Sequence, residues 1–219
     1  MKTELLALQR EHDAFLRRSK EKAAKGALAA FTDNSVANLS SIVVLAEANG
    51  RQMLLTGDAR GDKILVGLEQ VKLLKPRGKM HVDILKVPHH GSSRNMERIF
   101  FERIIADHYV FSGNGEHGNP DLETLQMLSD ARGSANFTVY LTYPVNEIDV
   151  ARKADWEEEQ AKEKTRKAKN PNMKARKNWS AKENSITSFL TAHQEFARKV
   201  AIVTEEKPFV IDLHEKLNY

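Results

Sequence analysis

A chain of 219 residues without a single cysteine excludes both a disulfide framework and a thiolate zinc site, so any metal must be held by His, Asp or Glu. No apolar run approaches the roughly eighteen residues of a membrane span, and the opening "MKTELLALQREHDAF" carries acids and lacks a small-residue cleavage site, so the expected setting is cytoplasmic with no membrane partner. The net charge of +4 hides an asymmetry, because between Ala151 and Lys182 eleven Lys and Arg stand against five Asp and Glu.

Residues 1–26 read as a charged helix with apolar points at Leu5, Leu8, Phe15 and Leu16. From Ser41 two β-rich runs, Ser41 to Glu47 and Gln52 to Thr56, meet at Asn49-Gly50, a strong hairpin signal. Apolar residues at Ile64, Leu65, Leu68 and Val71 have helical spacing. A strand over Val82 to Val87 follows, then a helix over Met96, Ile99, Phe100 and Ile104, and a strand at "HYVFSG". In "NPDLETLQML", Asn119 suits an N-cap and Pro120 the first helical position. "FTVYLT" closes the series as a strand. The charged helix after Tyr143 is expected to be solvated and to break at "PNM". Ser180 and Glu183 have the spacing of a capping box for a helix running to Val200, with Ile186, Phe189, Leu190 and Phe196 inward. "FVIDL" reads as a short final strand. The pattern is α/β, with a charged unit at 1–30, a main unit at 31–143 and a basic helical extension at 144–219.

Strand-to-loop junctions are where α/β proteins place their chemistry. Three junctions carry suitable groups: Asp58 in "LLTGDA", His89 and His90 in "LKVPHHGSS", and His117 in "FSGNGEHGNP". Each also has a plain structural reading: a turn residue or cap for Asp58, a satisfied pair for His89 and His90, a turn for His117. Together, one carboxylate and three imidazoles at successive strand ends make a candidate metal site.

The run "NLSSIVVLAEANGRQMLLTGDA…HVDILKVPHHGSS…HYVFSGNGEHGNPDLETL", about Phe31 to Thr142, resembles the carboxy-terminal half of metallo-β-lactamase-fold hydrolases, in particular their ComEC-like branch. The resemblance implies half of a four-layered αββα sandwich with zinc at the edge of the two sheets, two ions in the complete site. It implies Asp58 as the bridging metal ligand and His90 as a second ligand. His89 lies beside them, and His117 matches a substrate-side histidine that binds phosphate or donates a proton.

The family's His-x-His-x-Asp-His motif and its next lone His ligand are missing, and His12 is the one histidine before Phe31. Zinc is therefore expected to bind weakly or not at all to this chain alone. Half of a sandwich would also leave an apolar sheet face for a protein partner or a second copy. Three explanations compete: a fragment, which is favoured, a split subunit, or a degenerate relative. The expected function is a metal-dependent phosphodiesterase or nuclease acting on nucleic acid or a nucleotide through metal-activated water, with His117 and His89 catalytic and Asp58 and His90 on the metal. The alternative is a non-catalytic binding or assembly module.

Overall fold

The computed structural model describes residues 35–173, 175–203 and 209–213. The charged helix expected over 1–26 lies outside them. The described residues form α/β architecture around a six-stranded mixed sheet in the order β1-β2-β3-β4-β5-β6. A short helix α1 (Val36–Leu39) precedes β1 (Val44–Ala48) and β2 (Arg51–Leu55). Then come α2 (Gly61–Gln70), β3 (Met80–Lys86), α3 (Arg98–Arg103), β4 (Ile104–Phe111), α4 (Leu122–Arg132) and β5 (Thr138–Leu141). The remainder is α5 (Val145–Lys169), α6 (Ala181–Asn184), α7 (Ile186–Ala192), α8 (Gln194–Ala197) and β6 (Val200–Ile202).

Strands β1 and β2 are antiparallel, and every later neighbour is parallel. The hairpin turns where expected, with Asn49 at φ 52° and Gly50 at φ 74°, the two left-handed residues of a type I′ turn. Leu54, Leu85, Val139 and Tyr109 form a lateral row across the sheet. Each is 0% exposed. Ile64, Phe100, Phe101, Leu125 and Leu128 cover that row from α2, α3 and α4. Burying each such side chain contributes about 1.5 to 3 kcal/mol, so this layer dominates the cohesion of the fold.

Alternation slips once in the two central strands. Core side chains occupy Met80 and Val82 but then Leu85 and Val87, and likewise Ile104 and Ala106 but then Tyr109 and Phe111. The strands slip together, so their mutual register survives. At the slip, the Ala106 N–H donates to the Tyr109 hydroxyl at 3.0 Å, which satisfies a backbone donor as a bulge requires.

Several elements differ from expectation. Pro120 lies outside α4, whose N-cap is Asp121 rather than Asn119. Ile99 is 44% exposed while Phe101 is buried, because α3 is only six residues long and Ile104 already begins β4. The helix expected from Ser180 to Val200 is three short pieces. Ser180 makes no capping bond. Ser185 instead caps α7 by accepting from Ser188 N–H at 3.0 Å, and Asp149 of α5 takes the Ile186 and Thr187 N–H groups at 2.6 and 3.1 Å. Val200–Ile202 is a strand beside β5, whereas Phe209 to Leu213 is irregular. The carboxy-terminal segment thus joins the sheet through β6, with Ile148, Ile186, Phe189 and Phe196 in the main core.

These carboxy-terminal helices lie on the face already covered by α2, α3 and α4. The opposite face carries Met53, Ile84, His108 and Tyr140, with Leu55 39% and Val44 44% exposed. There Phe209 packs edge-on against Tyr140 at 5.1 Å between ring centroids. His108, only 6% exposed, lies under Tyr140 at 5.6 Å, and among the described residues its Nδ1 has no hydrogen-bond partner. Burial pushes its imidazole below the ordinary value, against the pull of Asp107 and Asp83. The unfolded chain therefore binds a proton that the folded chain refuses, so stability is lost as pH falls below about 6.5 and on through the depressed folded value. Thermal unfolding across this range is expected to show a shallower pH slope for His108→Gln than for the parent chain.

Candidate functional site

The parallel strands deliver their carboxyl ends to one edge, where the sequence-predicted residues stand. Thr56, 0% exposed, donates its hydroxyl to the Lys86 carbonyl at 2.7 Å. The His89 N–H donates to the Gly57 carbonyl at 3.0 Å. These bonds hold the ends of β2 and β3 together and bring Asp58 to His90, with 3.6 Å between Oδ1 and Nε2. His90 Nδ1 lies 2.9 Å from the Ser112 hydroxyl and 3.2 Å from its carbonyl oxygen. A proton on Nδ1 donated to that carbonyl leaves the Nε2 lone pair directed to the Asp58 side, the arrangement that orients a metal-ligating imidazole.

Lys86 completes this corner. Its Nζ donates to the Gly57 carbonyl at 3.0 Å and stands 4.0 Å from Asp58 Oδ1. Burial pushes the ammonium below the ordinary lysine value, and Asp58 opposes that shift. Among the described residues no group of three or more His, Asp or Glu could hold a metal ion. A catalytic zinc centre usually takes three protein ligands, and here one carboxylate and one imidazole face each other.

His89 and His117 face a different space. Both line a cleft of about 920 Å³, whose lining does not include Asp58 or His90. The structure therefore brings Asp58 to His90, and His89 to the same cleft as His117. The backbone marks all three histidines: φ is 45° at His89, 55° at His90 and 55° at His117, and they are half of the six non-glycine residues with positive φ among those described. Such conformations cost on the order of 1 to 3 kcal/mol each and persist where the surroundings over-determine them.

Those surroundings can be named. A Cβ on Gly91 would stand 2.7 Å from the Phe111 ring and 2.9 Å from Pro120, so only glycine permits the two histidine loops to meet. Asp121 N–H donates to the Gly91 carbonyl at 3.0 Å, and its carboxylate accepts from Ser93 N–H and hydroxyl at 2.8 and 2.9 Å. A Cβ on Gly115 would fall 2.3 Å from the Ile148 carbonyl oxygen, which shows how closely α5 presses on the His117 loop. From the same helix Arg152, 8% exposed, donates to the Gly118 and Pro120 carbonyls and to the Asn184 carbonyl at 3.1 Å. Burial lowers its pKa, while Asp121, Asp149 and Asp155 work the other way.

Arg152, Asp121, Ser112 and Lys86 were not among the residues expected from sequence. Lys86 and Ser112 adjoin the motifs and were open to notice there. Arg152 had no signal, since it lies in a lysine-rich helix and acts on a loop more than thirty residues away. Neither did the cleft's far wall, built from Trp156, Glu159 and Glu163 of α5 and from Arg176 and Trp179.

Comparison with protein-family models, curated proteins and solved structures finds no match for this chain.

Arg152→Met removes the donors to three carbonyls while keeping most of the side-chain volume. The expected result is a loss of about 3 kcal/mol in urea unfolding, with faster amide exchange concentrated at Gly115 to Asp121. Arg152→Lys is expected to fall between, because one ammonium cannot reproduce the guanidinium fork.

Proposed function

We propose that this chain is the carboxy-terminal part of a metal-dependent hydrolase of the metallo-β-lactamase superfamily, on its ComEC-like branch, and that its substrate is a phosphodiester of a nucleotide or nucleic acid. The observation that carries the reading is the Asp58–His90 pair, 3.6 Å apart at the strand ends with the second nitrogen of His90 committed to Ser112. The partly open sheet face bearing Val44 and Leu55 also supports it, as a surface for a second sheet.

Asp58 and His90 would hold the metal, most naturally zinc, with further ligands from the region that covers the open face. Zinc there supplies Lewis acidity and lowers the pKa of water to near neutrality. His89 and His117, on the adjoining cleft, fit the handling of substrate oxygens and the delivery of a proton to the leaving group. Ser112 orients His90. The excess of Lys and Arg around α5 is a solvated surface in this reading, since Lys162, Lys164, Arg166, Lys167 and Lys169 are absent from the cleft lining.

Lys86 favours a second reading. Its ammonium, 4.0 Å from Asp58, gives the carboxylate a counter-charge without any metal, as a non-catalytic binding module would require. Zinc titration by equilibrium dialysis separates the two. For the hydrolase part, weak and substoichiometric binding is expected, abolished by Asp58→Asn and by His90→Asn and strengthened by Lys86→Met, which removes a repelling charge. Binding unaffected by Asp58→Asn and His90→Asn would overturn the metal role, and a tight full equivalent would mean that the chain supplies ligands beyond these two.

A further inference from the structure

We propose that the cleft binds a compact ligand made of one phosphate group and an amino-substituted aromatic ring, the chemistry of a nucleoside monophosphate, and that it disfavours polynucleotide strands. This rests on the hydrolase reading by naming the mononucleotide that hydrolysis of a nucleotide phosphodiester would release, but it stands on the cleft rather than on the metal pair.

The cleft has two chemically distinct ends. At the loop end His89 and His117 stand with Arg94 and Ser92, donors suited to a single phosphate group. At the helix end are Trp156 and Trp179, in edge-to-face contact at 5.8 Å between centroids. Arg176 lies 4.9 Å from the Trp156 ring centroid, held in place by Glu163 at 2.8 and 3.0 Å. The Trp156 indole N–H is spent on the Lys177 carbonyl at 3.0 Å. This network fixes the aromatic wall before any ligand arrives, and half-buried indole rings offer a surface for stacking a base. Beside them Glu159 accepts from Lys162 at 2.7 Å with Arg166 and Arg176 also acting on it, and Asp155, set toward Gly118, is balanced electrostatically by Arg152; each carboxylate keeps lone pairs for further donors. Exocyclic amino groups of a base supply such donors.

The charge balance argues against a strand. Among the described residues the lining contains five carboxylates and three guanidinium groups. Arg176 is committed to Glu163 and Arg152 to three backbone carbonyls, so Arg94 is the lining arginine left for phosphate. Polynucleotide affinity grows with the number of phosphates neutralised, and the described residues of this wall offer too few cations for successive phosphates. The volume, about 920 Å³, suits one small ligand.

Because Trp156 and Trp179 are the chain's only tryptophans, intrinsic fluorescence reports directly on the helix end. The metal-free full chain is titrated, with chelator present, with adenosine 5′-monophosphate, ribose 5-phosphate and a short oligoadenylate. Saturable quenching by the mononucleotide is expected, with ribose 5-phosphate about tenfold weaker and the oligoadenylate no tighter than the mononucleotide. Asp155→Asn with Glu159→Gln is expected to weaken mononucleotide binding about tenfold, with unchanged circular dichroism showing that the fold is retained. The assignment is overturned by the absence of saturable quenching by the mononucleotide, by equal affinity for ribose 5-phosphate, by an unchanged affinity in the double variant, or by tighter oligoadenylate binding that falls steeply with salt. Since no metal takes part, failure here leaves the zinc titration unaffected, and failure of the zinc titration leaves this result standing.

Discussion

The lateral row Leu54, Leu85, Tyr109 and Val139, buried against three helices, is the constraint on which the rest of the molecule depends. Because these side chains share one layer across four strands, they fix the parallel register, and the register fixes where each strand ends. Asp58, His90 and Ser112 then reach the same edge without any contact between them in sequence. A register shift of one residue would turn the strand faces over and scatter the corner. The joint slip of β3 and β4 near Asp83 and Asp107 belongs to the same constraint, since the two strands change phase together and stay paired.

A second layer of organisation comes from the carboxy-terminal segment. Helix α5 meets the His117 loop at Gly115 and grips it through Arg152, while Asp149 ties the same helix to the start of α7. Ile186, Phe189 and Phe196 continue the core and β6 extends the sheet. The basic segment is therefore less an appendage than a wall of the site. Its charges are sorted by the helix period: Arg152, Asp155, Trp156, Glu159 and Glu163 share the cleft side, and the lysines that create the basic excess turn elsewhere.

Legibility in the sequence followed the range of the interactions. Asn49-Gly50 specifies a turn by local backbone preference, so the hairpin was readable. Short apolar runs ended by glycine and histidine located β3 and β4 and the junctions carrying Asp58, His89, His90 and His117. Errors arose where a distant partner decides. Ser180 has a capping-box spacing, yet Asp149 from another helix takes the orphan N–H groups of α7 and the chain breaks into short turns instead. Asn119 looked like a cap because it precedes Pro120, but Asp121 occupies that position while its carboxylate is drawn to Ser93. Val200 passed as a helix end and the strand Val200–Ile202 went unread, because an edge strand of three residues has no periodicity to detect.

What the sequence determined by itself was therefore local and chemical: an α/β alternation, a hairpin, a cysteine-free chain whose only metal donors are carboxylates and imidazoles, and four candidate residues at strand ends. The tertiary structure decided the grouping. It paired Asp58 with His90 through the ends of β2 and β3, turned His89 to the cleft with His117, placed Lys86 beside the carboxylate, and brought Trp156 and Trp179 to the far wall. The physical reason is that spacing along a strand or helix sets which way a side chain points, whereas distances between elements are set by a buried layer and by glycine contacts that no local pattern encodes.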